Sequence, residues 1–199
     1  MDTLKQLELK YSKDFHGYFE DLAALLFCME YHQTHGVNRR INQPGIEADP
    51  IVYKGKRIAF QAKYITDGVN LSNYKKDLLQ SIDEAAREKV DKLIIYTNKY
   101  LDSPQDQKGD IKKNMPRVKK AYEREIDARA KTYNMDVEWQ SGSSINTTLE
   151  KPEYKYIREL YLGSGNNSSG CIAYYDYAVN KVLIHERLTI RSQVGNGIY

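Results

Sequence analysis

Residues 91–98, DKLIIYTN, constrain the fold of this chain more than any other stretch. Leu93, Ile94, Ile95 and Tyr96 form an apolar run of strand length with polar ends, which reads as a central strand. Upstream, residues 72–89 place Leu78, Ile82 and Ala85 on one side at helical spacing. Before that helix, residues 57–64 alternate: Ile58, Phe60 and Ala62 on one face, Ala59, Gln61 and Lys63 on the other. Strand, helix, strand in this order predicts a parallel crossover, and therefore an α/β protein with a mixed central sheet flanked by helices.

The flanking segments extend the pattern. Residues 14–32 predict the first solid helix, with Phe15, Phe19, Leu22, Leu26 and Met29 recurring at its spacing, Ser12 or Asp14 as N-cap, and Gly36 as its end. Two extended pieces follow, at 37–41 and 46–53, the second interrupted by Pro50. Lys54, Gly55 and Lys56 make a hairpin turn into the alternating strand. Beyond the central strand come a polar loop at 101–109, a charged helix that Pro116 kinks or delays, a short strand at 135–139, and helical pieces at 145–149 and 153–162. Residues 163–170, GSGNNSSG, have linker composition. The expected organisation is one domain over 1–162, the linker, and a 171–199 extension that is either an added hairpin or the opening of a further module.

Composition narrows the function classes. The chain has 199 residues, 41% hydrophobic and 29% charged, in the range of a globular domain with a real core. No apolar segment is long enough to span a membrane, and the charged start is not a secretory signal. Two cysteines, Cys28 and Cys171, give neither a disulfide framework nor metal-ligand spacing, so a cytoplasmic location is expected. The net charge of +3 decides nothing, but residues 108–131 hold nine Lys or Arg against four Asp or Glu. Such a face suits a polyanion, with Lys112, Lys113, Lys119 and Lys120 as backbone contacts, or is simply a solvated helix surface. No GxxxxGK loop is present, so the sequence carries no ATPase signature.

The polar residues of the hairpin are the candidates for chemistry. Gln61 and Lys63 share one face at the end of their strand, where burial would be expected. Glu47 and Asp49 sit two apart on the segment before it, and counting back from Gly55 brings Glu47 beside Gln61 and Lys63. Glu20 of the first helix can reach the same corner. Carboxylates with an amide and an ammonium suit phosphodiester hydrolysis assisted by Mg2+ or Mn2+, with Glu47, Glu20, Asp49 and the Gln61 position as oxygen donors. A cross-strand ion pair with no catalytic role is the plain alternative. Ser81, on the following helix, either contacts a phosphate or is an ordinary helix serine.

The order of a helix carrying Glu20, then Gly45, Ile46 and Glu47, then Phe60, Gln61, Ala62 and Lys63 resembles the PD-(D/E)xK nuclease superfamily, in particular the Mrr-type restriction endonucleases whose second acid is a glutamine. The stretch over about residues 10–162 is also similar to nuclease-like domains at the front of large bacterial proteins, many thought to act against phage. The resemblance implies a restriction-endonuclease-like α-β-β-β-α-β core, with Glu47 as the motif's acid, Gln61 and Lys63 as its QxK, and Glu20 as the helix acid. It implies DNA as substrate, anti-phage defence or restriction as setting, a homodimer that reaches both strands, and further domains in a longer parent protein. Glu47 stands where the family usually has Asp, and Asp49 competes with it for the role. The alternative is a nucleic-acid-binding or scaffold domain of the same fold with weak catalysis.

Overall fold

The computed structural model describes residues 2–40, 45–101 and 119–162. The expected linker and extension at 163–199, together with Lys112, Lys113 and Pro116, lie outside the described residues.

A four-stranded mixed sheet organises the chain, in the order β1-β2-β3-β4. Strand β1 (Ile51–Tyr53) pairs antiparallel with β2 (Lys56–Lys63) through a two-residue turn. Both turn residues, Lys54 at φ 50° and Gly55 at φ 78°, are left-handed, the geometry that matches strand twist in a tight hairpin. Strand β2 then runs parallel to β3 (Lys92–Thr97) over six residue pairs, from Ile58 opposite Lys92 to Lys63 opposite Thr97. Strand β4 (Asp136–Gln140) adds in parallel to β3. The crossover expected from strand, helix, strand is present: helix α3 (Lys75–Arg87) joins β2 to β3.

The period-two reading of β2 matches the packing. Ile58, Phe60 and Ala62 join Ile94 and Tyr96 under helices α1 (Thr3–Tyr11), α2 (Phe15–Glu30), α5 (Gly142–Glu150) and α6 (Lys155–Leu162). Ala59 joins Leu93 and Ile95 under α3 and α4 (Ala121–Lys131). Both faces are therefore covered, as parallel strands require. Asn98 closes the exit of the central pair: its amide accepts from Ile65 N at 2.8 Å and donates to Ile65 O at 2.9 Å.

Several expectations are corrected. Among the described residues the run of three strands before α3 is two: at 37–40 the one bridge is Arg39 to Ala48, and β1 begins after Pro50, whose missing N–H cannot join a ladder. Helix α1 was not legible as an element, because its fully buried apolar residues are just Leu4 and Leu7, with Tyr11 partly buried at its end. It starts on Asp2, whose carboxylate accepts from Lys5 N. Ser12 is left-handed and, with Lys13 and Asp14, forms a 3-10 turn, and neither Ser12 nor Asp14 caps α2 through its side chain. Helix α2 ends at Glu30 rather than near Gly36: His32 turns left-handed, His32 N donates to Met29 O and Gln33 N to Cys28 O, a Schellman closure with histidine in the glycine position.

Phe60 is fully buried, with Phe27 and Tyr96 rings 4.7 and 6.0 Å away. Phe60→Ala is expected to lower stability by about 3–5 kcal/mol, read as a shifted urea midpoint at unchanged slope.

Candidate active site

Glu47, Gln61 and Lys63 gather at the end of β2, with Glu20 near them. Lys63, Thr97 and Gln140 are the last residues of β2, β3 and β4, and open α/β sheets bind ligands beyond such carboxyl ends.

Glu47 reaches the corner without belonging to a strand. Its N–H donates to Phe60 O at 2.9 Å, and its carbonyl accepts from Arg40 N at 2.8 Å. It is thus threaded between β2 and the 38–40 segment. The approach depends on Gly45, at φ +110°, because a Cβ there would lie 2.6 Å from Glu84 Cγ of α3.

Gln61 is 8% exposed and fully engaged. Its Nε2 donates to Glu47 Oε1 at 2.6 Å and to Ala62 O at 3.0 Å, while its Oε1 accepts from Ser81 Oγ at 3.1 Å. The Ser81 hydroxyl also lies 3.0 Å from Asp77 O. Ser81 is 4% exposed, so its hydroxyl braces the Gln61 amide rather than facing a phosphate.

The remaining carboxylates divide. Glu20 belongs to the corner, close enough to Glu47 to disfavour its ionisation. Glu20 is flanked by Arg39, Nη2 to Oε2 at 3.8 Å, and by His16 at 3.4 Å. Asp49 is turned away: Arg40 Nε holds it at 2.8 Å, Asn38 Nδ2 lies at 3.4 Å, and the Arg40 hydrogen bond keeps its carboxyl below the usual range. The structure therefore separates the two acids that the sequence left in competition. Lys63 shares the Gln61 face, but its ammonium pairs with Asp77 Oδ2 at 3.1 Å and sits 4.9 Å over the Tyr74 ring. Lys119 is ion-paired to Asp127, in a groove lined by Lys92, Asp136 and Glu138 beside β4, the far edge of the sheet from β1.

Burial pushes the Glu47 carboxyl up from 4.5 to about 7, with Glu20 adding to the rise, while the Ala62 N–H, Arg39 and Lys63 offset part of it. This is a carboxylate short of positive charge. Among the described residues no group of three or more His, Cys, Asp or Glu is placed to hold a metal ion. The donors at hand are the Glu47 and Glu20 carboxylates, with the Gln61 amide beside them. These are hard oxygens that fit Mg2+ or Mn2+ better than zinc, and Mg2+ needs only one or two carboxylates because it keeps several waters.

Asp77 and Arg39 were missed in the sequence. Asp77 had a signal, lying one turn before Ser81 on the same helix face. Arg39 had none, because its place depends on the single bridge to Ala48. No protein-family model matches the chain, and no curated protein matches it. Among the described residues no helix is long and apolar enough to cross a membrane.

The Glu47 shift has a definite sign. Between pH 4.5 and about 7 the unfolded chain holds fewer protons than the folded one, so the ionisation of Glu47 removes stability as pH rises. Glu47→Gln is expected to be more stable than the parent at about pH 8, by up to about 3 kcal/mol, with the difference closing below about pH 4. Urea unfolding of both proteins across that range, in chelator, measures it.

Proposed function

We propose that the chain is a divalent-metal-dependent endonuclease that hydrolyses DNA phosphodiester bonds, related to the PD-(D/E)xK nucleases through their QxK branch. One observation carries the reading: the Gln61 amide bonds Glu47 at 2.6 Å across two segments that the sequence separates by fourteen positions. That contact supports the reading because it brings an acid and an amide together, with the Glu20 and Lys63 charges near enough to act on Glu47.

In this reading Glu47 and Glu20 hold Mg2+ or Mn2+, which when bound neutralises charge on the phosphate and makes its water more acidic. Gln61 fixes the Glu47 carboxylate through its N–H, and Ser81 fixes Gln61. Lys63 offers its ammonium to a phosphate oxygen or to the attacking water, stabilising the charge that develops. The oxygen-rich corner lies beside the last residues of β2, with Lys63 and Asp77 at its partly exposed mouth. DNA as the substrate, a homodimer that cuts both strands and a defensive setting within a larger protein belong to the same proposal.

The ion pair between Lys63 and Asp77 favours a second reading, a nucleic-acid-binding domain with weak catalysis. Plasmid cleavage by the purified protein in Mg2+, in Mn2+ and in EDTA, beside Glu47→Ala and Lys63→Ala, separates the two. Nicking or linearisation that needs metal and falls at least about a hundredfold in both variants is the expected outcome. DNA binding without cleavage by the folded parent under every metal condition would leave the binding reading in place.

A further inference from the structure

We infer that Asp77 is a latch on Lys63: its carboxylate occupies the ammonium in the free protein and gives way when a nucleic-acid phosphate docks. The inference rests on the nuclease reading of the site and adds a regulatory residue to it.

Lys63 stands on the same face of β2 as Gln61, yet its hydrogen bond runs to α3 and not to the Glu47 carboxylate. The Lys63 side chain is 23% exposed and that of Asp77 56% exposed. The pair therefore lies at the mouth of the corner, where water and a ligand reach both partners. Such a pair is weak, worth at most about a fivefold factor in an equilibrium. A phosphate oxygen is a stronger partner for an ammonium than a half-solvated carboxylate, because charge-assisted bonds to phosphate strengthen as the contact is desolvated. A phosphate that reaches Lys63 must also approach the Asp77 charge, so the carboxylate opposes docking twice, by holding the cation and by repelling the anion. Asp77 touches the corner through nothing else that a substitution would disturb: its contact with Ser81 uses the backbone carbonyl. The Tyr74 ring under the ammonium at 4.9 Å keeps the lysine in place when the carboxylate leaves.

Asp77→Asn keeps the shape of the side chain and removes its charge, which makes it the natural test. Binding of a short fluorescent DNA duplex is measured by anisotropy across a salt series in chelator, for the parent, Asp77→Asn, Lys63→Gln and the double variant. Asp77→Asn is expected to bind roughly three- to tenfold more tightly than the parent. Its log–log salt slope should stay close to the parent's, since Lys63 reaches phosphate in both complexes, while the Lys63→Gln slope should be shallower by about 0.9, one phosphate contact fewer. In the Lys63→Gln background the gain should shrink to the smaller part that comes from removing a negative charge near the phosphate, and Asp77→Ser, tested in parallel, should repeat the result. If Asp77→Asn tightens binding equally with and without Lys63, the effect is general charge and the latch is overturned while the nuclease reading stands. Duplex binding by the parent with no gain in Asp77→Asn has the same meaning. If no variant binds duplex at any salt, the nuclease reading falls and the latch falls with it.

Discussion

The parallel pairing of β2 with β3 is the constraint on which the rest of this protein depends. Two strands that run the same way need a long crossover, and the crossover helix must cover one face while others cover the opposite one. The side chains obey this demand: Ile58, Phe60 and Ala62 enter one apolar cluster and Ala59 the other, with Gln61 the polar exception. The same pairing aligns the carboxyl ends of β2, β3 and β4, so that the polar ends of the strands emerge together at one rim of the sheet. Placing Gln61 and Lys63 on this rim costs the core little, because Phe60 and Ala62 point the other way.

The chemistry of the corner follows from one unresolved electrostatic problem. Glu47 is drawn inward by its backbone ladder, and Glu20 comes close from the helix layer. An amide, a backbone N–H and two cations offset part of the cost, but burial dominates. Under the proposed function a hard cation would offset the rest. The three cationic groups nearby are largely taken: Arg39 by Glu20 and Asp21, His16 by Glu20 where protonated, and Lys63 by Asp77.

The sequence made the sheet legible because the strongest signals are local. The alternation in β2, the apolar run of β3 and the left-handed glycine of the hairpin each specify their own conformation, and their order fixes the parallel topology. Helix α1 was hidden because two leucines make a stripe too thin to distinguish from a charged loop. The piece at 37–41 looked like a strand, but the segment that follows it meets Pro50 before a ladder can form. In the site, the hairpin register placed Glu47 near Gln61 by counting alone. The same counting could not tell Glu47 from Asp49, since both lie on one side of an extended segment. Arg40 draws Asp49 away from Gln61, and Arg40 is itself held by Glu88, a contact across forty-eight positions that no local pattern announces. Ser81 was visible as a residue, but its partner was not, because a helix serine gives no hint of which strand residue it faces.

One stripe of α3 reaches four positions in and around the corner. Asp77 holds Lys63, Ser81 holds Gln61, the stem of Glu84 lies against Gly45 on the approach to Glu47, and Glu88, at the helix end, holds Arg40. These four positions are spaced by four, three and four residues, the repeat of a single helix face. These residues of the corner are thus tied to one rigid rod, although they come from three separate stretches of chain. A shift of α3 along its axis would move all four handles at once, so the corner has one mechanical degree of freedom where its parts list would lead one to count four.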